Sequence, residues 1–396
     1  MQEQISFCDI LGEYGEGYIS RHHIKGQEKG IIRLLSACRS SVLGSHYEQC
    51  DQCDYRGKSY NSCRNRHCPD CQQKDKLQWL DQRMQELLPV GYYHLVFTIP
   101  HELNPLCQQN KKVMYNLLFK AASLTILELC RNVKHLGADT GLITVLHTWG
   151  QNMMEHPHLH CIMPAGGLSF DRQHWVHSDK KDDFFIYYKI ISRKFRGKFL
   201  YLLQKAFDKE QLYFKGNIRE LANRRRFTCF TFQLKEMDWV VNIQKPFGKP
   251  EKVLEYLSRY VFRIAITNRR IVEVKDGKAL FTWKDYRSGY FRKMRLEIDE
   301  FIRRFLLHVL PSGFFKVRYY GIFSSRYRKE NLSLSKGLLN QQREGLRQEA
   351  IEDGCPVFEK QDTVWEEILK RIQNYQKPNC PKCRKGRLRF AGIAPG

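Results

Sequence analysis

The chain has 396 residues, and its 66 lysines and arginines exceed its 42 acidic residues, which gives a formal net charge of +24. A chain of this length can form two or three domains with a sizeable core. A positive surplus of this size favours a polyanionic partner, most commonly nucleic acid. A membrane surface is the alternative, but the sequence lacks the separate basic amphipathic helix expected for it.

The sequence also argues against a membrane-spanning or secreted protein. No uncharged apolar run approaches the roughly 20 residues of a membrane span. The polar start, MQEQ, lacks the apolar core of a signal peptide. We therefore expect a cytoplasmic protein with no membrane partner, whose 14 cysteines are reduced and are buried, catalytic or bound to metal.

Hydrophobic periodicity and turn residues predict the secondary structure. Helical periodicity predicts helices over 30–39, 75–88, 103–133, 184–212, 249–262 and 298–310. Alternation and β-branched residues predict strands over 92–99, 142–151, 158–163, 239–243, 271–274 and 279–283. The last two strands flank the sequence KDGK, which favours a hairpin turn.

The order of these elements predicts the domain organisation. Helices and strands alternate irregularly from about 90 to 325, which is typical of an α+β domain with an antiparallel sheet backed by helices. We expect a cysteine-rich domain over 1–88, this α+β domain over 89–328, and a basic helical tail over 329–396.

Two C-x-x-C pairs in the first domain predict a structural zinc site. Cys50 and Cys53 are followed, after fourteen residues, by Cys68 and Cys71. Each pair can chelate from a tight turn, and four thiolates complete the tetrahedron that zinc prefers, so no position is left for a reacting water. The alternative is a set of cysteines that bind no metal.

Other residues near these pairs could add to the site. A second zinc could be held with the help of Cys38, His46, Cys63 and His67, although these residues could instead pack or face DNA. Arg64, Arg66 and Lys74 place positive charge beside the zinc and are candidate phosphate contacts. The C-terminal pair, Cys380 and Cys383, is half a site with no second pair after it. It is either a remnant or a ligand pair completed elsewhere, and we do not predict a metal there.

A second candidate metal site lies on the predicted strand 158–163. His158 and His160 are two residues apart, so they share one face of the strand, while Leu159 points into the core. Two imidazoles can hold a divalent ion together with a third ligand from the preceding strand, where Gln151 is favoured over His147. A lone His-x-His pair is also common among ordinary polar strand residues.

Tyr256 and Tyr260 are candidate nucleophiles. They are spaced i, i+4 on a predicted helix, so both hydroxyls can reach one site. With 20 tyrosines in the chain, this spacing also arises among ordinary aromatic residues. A tyrosine can attack phosphorus and form a covalent link, and a metal held by the histidines would polarise the phosphate.

These features together resemble a known family. His158-Leu159-His160 resembles the His-hydrophobic-His motif of HUH endonucleases, and Tyr256 with Tyr260 resembles the pair of the two-tyrosine class. Longer strings resemble the bacterial insertion-sequence transposases numbered ninety-one, which are relatives of the Helitrons. These strings are SCRNRHCP (62–69), LHTWGQ (146–151), RIAITNRRI (263–271) and RFLLHVLP (304–311).

The resemblance covers about residues 30–325 and implies a function. It implies a ferredoxin-like antiparallel sheet, Mg²⁺ or Mn²⁺ at the histidines, and cleavage and rejoining of single-stranded DNA through a 5′-phosphotyrosine intermediate. The insertion sequence would move by a rolling-circle-like route in the bacterial nucleoid, with the DNA ends and target as partners. Arg269 and Arg270 of the third string are further candidate DNA contacts.

Some choices stay open at this point. The sequence contains no G-x-x-x-x-G-K-[ST] loop, so a host helicase or replication would have to supply the single strand. A plasmid relaxase or replication initiator would use the same chemistry. A non-catalytic, domesticated DNA-binding protein would keep the zinc domain, but it would leave the histidine and tyrosine pairs unexplained.

Overall fold

The computed structural model describes residues 5–71, 86–178, 186–247, 261, 264–285, 288–352 and 379–394. Its α-helices are α1 Phe7–Arg21, α2 Gly26–Ser36, α3 Asn104–Gln109, α4 Lys111–Arg131, α5 Tyr188–Asp208, α6 Arg224–Glu236, α7 Ile298–Leu307 and α8 Arg328–Glu352. Its strands are β1 Ser45–Cys50, β2 Arg56–Tyr60, β3 Tyr92–Thr98, β4 Gly141–Trp149, β5 Glu155–Pro164, β6 Gly166–Leu168, β7 Trp175–His177, β8 Val241–Phe247, β9 Ile271–Lys275, β10 Lys278–Lys284, β11 Phe291–Glu297, β12 Val317–Gly321 and β13 Leu388–Ala394.

The central sheet has five antiparallel strands in the order β12-β4-β5-β3-β8. The chain runs through β3, α4, β4, β5, α5 and β8, which is the β-α-β-β-α-β sequence of a ferredoxin-like fold. Strand β12 is added at the edge beside β4. The predicted antiparallel sheet backed by helices is therefore confirmed.

The two faces of this sheet follow from strand alternation. Leu95, Leu146 and Leu159 point to one face and pack on the helices in the largest core. Helix α4 belongs to this core: by length and composition it could cross a membrane, but 61% of its most apolar stretch is buried. Val145 and Ile162 point to the opposite face, which also carries the histidines described below.

A second core joins the start of the chain to its later part. Phe7 of α1 packs on Phe301 and Phe305 of α7, with ring centroids 5.7 and 4.3 Å apart. The small sheet β9-β10-β11 completes this core. The predicted hairpin is confirmed, since Asp276 and Gly277 have φ values of 50° and 69°, as a two-residue turn requires.

A third sheet has the order β2-β1-β13 and joins strands from the two ends of the chain. The tail was predicted to be helical, and α8 lies in its first part. The residues of β13 differ from that prediction, because they pair with β1 as a strand. The structure also contains elements that were not predicted, namely the strands β1, β2, β6, β7, β11, β12 and β13 and the helices α1 and α6.

Candidate metal centres

Three histidines meet on one face of the central sheet. His147 of β4 lies directly opposite His158 of β5, and His160 follows two residues later on the same face. Each of the three offers a ring nitrogen, and these nitrogens lie within 4.8 Å of one another. All three side chains are buried, at 2%, 9% and 7% exposure. Such a cluster has the size and chemistry of a site for one divalent cation.

The third ligand differs from the sequence-based preference. Strand β4 ends at Trp149, and Gln151 lies in the turn beyond it. The strand register brings His147 into the cluster instead. His147 is therefore the better candidate for the third ligand, which reverses the sequence-based preference for Gln151.

Hydrogen bonds to Nδ1 orient two of these imidazoles, those of His158 and His160. His158 Nδ1 donates to the backbone carbonyl of His156 at 2.6 Å, which fixes the tautomer in which Nε2 carries the lone pair. His160 Nδ1 shares a hydrogen bond of 3.0 Å with Nε2 of His94. His94 Nδ1 in turn lies 3.1 Å from the side-chain oxygen of Gln244 on β8. Metal-binding histidines commonly have such partners on their second nitrogen.

The sequence did not single out His94, although a signal for it was present. His94 lies between apolar residues in a predicted strand, as His158 and His160 do. Its neighbours β5 and β8 place it between His160 and Gln244, so the hydrogen-bonded series crosses adjacent strands of the sheet. Burial lowers the pKa of His94 to about 4, so the ring is neutral at pH 7.

The turn between β4 and β5 is fixed by side chains from the strings that were noted in the sequence. Arg270 donates to the carbonyl of Gln151, and Arg304 Nη1 donates to that of Asn152 at 3.0 Å. His308 Nε2 donates to the carbonyl of Met153 at 2.9 Å. Three consecutive carbonyls are thus satisfied, which holds the register that places His147 opposite His158.

Glu155, the first residue of β5, gives a test of this packing. Burial raises the pKa of its carboxyl group to about 7. The raised value means that the folded state favours the neutral acid, so stability falls as the pH rises from the ordinary value near 4.5 to about 7. At pH 8 we expect Glu155→Gln to raise the free energy of unfolding by about 3 kcal/mol. The gain should shrink towards zero near pH 4.5.

Urea denaturation at several pH values measures this difference. Glu344→Gln, at an exposed position of α8, is the matched control and should show no such pH dependence. A difference between Glu155→Gln and the wild type that is the same at pH 5 and pH 8 would contradict the assignment.

A cluster of thiols lies between α2 and the loop that follows β2. The Sγ atom of Cys71 is 3.5 Å from that of Cys38 and 3.6 Å from that of Cys63. Cys68 lies 3.6 Å from Cys38 in the same cluster. Four thiolates around zinc lie roughly 3.8 Å apart when the Zn–S distance is about 2.3 Å. These four residues therefore fit a structural zinc.

Cys8 is a further member that the sequence did not suggest. Its Sγ lies 3.6 Å from that of Cys68, on the buried side of α1. Cys8, Cys38, Cys68 and Asp70 form an overlapping set of potential ligands. Asn268 connects this region to the later part of the chain, because it donates to Asp70 and accepts from the backbone N–H of Phe7.

The structure corrects the predicted grouping of the cysteines. Cys50 and Cys53 do not join Cys68 and Cys71 but lie with Cys380 and Cys383, the pair for which no metal was predicted. Cys38 and Cys63 join the first cluster, but the other two predicted ligands do not. His46 instead lies 2.9 Å from the side-chain oxygen of Asn61.

His67, the last of the predicted zinc ligands, points into a small cavity with Thr148, His308 and Lys316. Burial lowers its pKa to about 3, and Arg66 and the nearby lysines add to this effect. A neutral imidazole in this cavity is a packing group between the cysteine-rich loop and β4.

The predicted DNA contacts divide into two groups. Arg64 and Arg269 are exposed, while Lys74 lies outside the described residues. Arg66 differs from the prediction, because it donates to the carbonyls of Phe314 and Pro311 at 2.6 and 3.0 Å.

Arg270 is likewise engaged with the protein. It donates to the carbonyls of Thr282, Ala265 and Gln151. Both Arg66 and Arg270 therefore stabilise loops, since buried carbonyls need donors. The two catalytic candidates, Tyr256 and Tyr260, also lie outside the described residues.

Comparison with known proteins agrees with this arrangement. The profile of the family described as "Putative transposase" matches residues 141–331, and that of the "Transposase zinc-binding domain" matches residues 10–99. A putative transposase, y4qJ, of Sinorhizobium fredii is 42% identical over 383 residues, which cover 96% of this chain and 93% of the relative. The transposase for insertion sequence element IS801 of Pseudomonas savastanoi pv. phaseolicola is 26% identical over 305 residues, or 76% and 71% of the two chains. No solved structure matches the chain significantly.

These matches define a DNA transposase, an enzyme that binds and cleaves DNA. The chain belongs to the IS91 family of insertion-sequence transposases and carries the zinc-binding domain of that family.

Proposed function

We propose that this transposase cleaves and rejoins single-stranded DNA at the histidine cluster, with Tyr256 and Tyr260 as nucleophiles. The observation that carries the proposal is the meeting of His147, His158 and His160 on one sheet face. A transposase needs a site that binds and activates a phosphate. Among the described residues of the central sheet, these histidines form the group of potential metal ligands.

The donor set fits a divalent cation. Three imidazoles supply three ligands, and hydrogen bonds already direct the rings of His158 and His160. Imidazole is a ligand for transition metals, so Mn²⁺ suits this set better than Mg²⁺. When bound, the cation would act as a Lewis acid on a non-bridging oxygen of the scissile phosphate.

The protein's own groups keep this site in order. His94 and Gln244 hold the ring of His160, and Trp149 stacks on His147 with ring centroids 4.6 Å apart. The sheet itself covers the site on its helix side, so a phosphate would have to approach from the opposite face. A duplex would be a poor substrate, because paired and stacked strands do not bend readily into such a site.

The described residues next to the tyrosine pair support its role. Val261, which follows Tyr260 in the sequence, is buried on the face of the sheet that carries the histidines. It belongs there to one hydrophobic cluster with Val145 and Ile162. Val145 lies two residues before His147, and Ile162 lies two residues after His160, so both share the face of the histidines. Val261 thus lies on the face where the phosphate would bind, and this supports the proposal that Tyr256 and Tyr260 act there.

The proposed reaction conserves a phosphate bond. The tyrosine oxygen attacks phosphorus, the bond between phosphorus and the 3′-oxygen breaks, and the protein becomes linked to the 5′-phosphate. Attack by a 3′-hydroxyl on this link restores the DNA backbone and releases the tyrosine, so no ATP is needed. Two tyrosines allow two strand transfers, as a rolling-circle-like route with a host helicase in the nucleoid would require.

The direct test uses single-stranded oligonucleotides that tile the DNA flanking the gene. With Mn²⁺ we expect one or a few of them to form a covalent adduct with the protein, which migrates more slowly on a denaturing gel. Chelator should prevent the adduct, and the same sequences as duplexes should give much less of it. Cleavage of duplex DNA without any covalent adduct would contradict the proposal.

A further inference from the structure

The two ends of the chain meet in one small sheet. Strands β1 and β13 are antiparallel, with Ser45 opposite Ala394 and Cys50 opposite Leu388. The register places the C-x-x-C turn that follows β1 beside the C-x-x-C turn that precedes β13. These turns carry Cys50 and Cys53 on one side and Cys380 and Cys383 on the other.

The four thiols of these turns form a compact group. The Sγ atoms of Cys50 and Cys383 are 3.7 Å apart, and those of Cys53 and Cys380 are 3.6 Å apart. All four Sγ atoms lie within 4.8 Å of one another. Two separate disulfides would need only Cys50 near Cys383 and Cys53 near Cys380. A tetrahedral thiolate site requires all four Sγ atoms to lie close to one another, as they do here.

The backbone around the thiols is arranged as in a metal-binding turn. Gln52 N–H donates to Cys50 Sγ at 3.3 Å, and Gly386 N–H donates to Cys383 Sγ at 3.2 Å. Such bonds stabilise a thiolate, the form that binds metal. A Cβ atom at Gly386 would lie 2.3 Å from Cys50 Sγ, so only glycine allows this approach.

Charged groups hold the two turns together. Asp51 accepts from the backbone N–H of Arg387 at 2.8 Å and pairs with the side chain of Arg389 at 3.2 Å. Lys382 pairs with Asp54 at 2.6 Å. Asp51 lies within the first turn and Lys382 within the second, and each pairs with residues that follow the cysteines of the other turn.

We propose that Cys50, Cys53, Cys380 and Cys383 bind a second structural Zn²⁺, a site we call the chain clasp. The matched zinc-binding domain ends at residue 99, so half of the ligands lie far outside it. The cluster of Cys38, Cys63, Cys68 and Cys71 would hold the other zinc. The clasp closes the sheet β2-β1-β13 and ties the C-terminal tail to the N-terminal domain.

Metal analysis of the full-length protein tests the clasp independently of DNA cleavage. The wild type should contain two zinc ions per chain, and Cys380→Ser/Cys383→Ser should contain one. Cys50→Ser/Cys53→Ser should also contain one, and the quadruple variant should still contain one, because both pairs serve the same ion. Cys229→Ser, at an exposed free cysteine, is the control and should keep both ions.

Thiol alkylation followed by mass spectrometry gives a second readout on the wild type, which does not depend on the folding of a variant. Cys380 and Cys383 should be protected as long as zinc is bound, and chelator should expose them together with Cys50 and Cys53. Zinc content that is unchanged in Cys380→Ser/Cys383→Ser would overturn the proposal. So would alkylation of Cys380 and Cys383 at the rate of Cys229 in the zinc-loaded protein.

Discussion

Replacement of His158 or His160 by alanine is expected to lower the rate of single-strand cleavage by about 1000-fold, since metal activation of a phosphate is worth several kcal/mol. DNA binding should change little, because it depends on many lysine and arginine contacts. The rate of adduct formation with Mn²⁺ and the affinity in a gel-shift assay measure the two effects separately. A variant that lacks both histidines and still cuts at the wild-type rate would rule out this metal site.

Comparison variants make this experiment specific. His101→Ala, at a side chain that is 85% exposed, is the matched control and should cut normally. His147→Ala should resemble His158→Ala, whereas Gln151→Ala should stay close to the wild type if His147 is the third ligand. The opposite result would restore the sequence-based preference for Gln151.

His94 should behave as a positioning residue. His94→Ala should reduce cleavage by roughly 10–100-fold and raise the Mn²⁺ concentration needed for half-maximal activity, because it removes the partner of His160. Excess Mn²⁺ should restore much of the lost rate, which a general folding defect would not allow.

Replacement of both Tyr256 and Tyr260 by phenylalanine is expected to eliminate the covalent protein–DNA adduct. Phenylalanine keeps the aromatic ring but has no nucleophilic oxygen. Each single variant should retain some cleavage but fail in complete transposition, which needs more than one strand transfer. End-labelled single strands and denaturing gels measure the adduct, and mass spectrometry identifies the linked peptide.

Controls for the tyrosines come from the exposed surface. Tyr201→Phe/Tyr213→Phe removes two hydroxyl groups from side chains that are 59% and 70% exposed, and it should leave adduct formation unchanged. An adduct that persists in the double variant at 256 and 260, or one that maps to another residue, would require a different nucleophile.

Local patterns predicted the core of the fold and two of the three clustered histidines. The two-residue period of a strand is enough to place His158 and His160 on one face, whatever lies beside them. The third member of the cluster depends on the exact end of β4 and on the pairing of His147 with His158. That register is held by Arg270, Arg304 and His308, which lie more than 100 residues later in the chain.

The cysteine grouping could not be predicted for a related reason. Cys50 and Cys53 are close in sequence to Cys68 and Cys71, and spacing alone therefore pairs them. The pairing of β1 with β13 has no local signal, because the partner strand is separated from β1 by most of the chain. The roles of Arg66 and Arg270 were also hidden, since the carbonyls that they satisfy become neighbours only in the folded state.

The long separation within the sheet β2-β1-β13 has a consequence for how the enzyme is made. Cys50 and Cys383 are 333 positions apart, so at ordinary synthesis rates β13 emerges from the ribosome roughly 20–60 s after β1. Until then β1 is an edge strand with unpaired backbone groups, a surface to which other strands can add. A prematurely terminated chain would keep the histidine face but leave this edge open permanently. We therefore expect truncated products to aggregate more readily than the complete transposase.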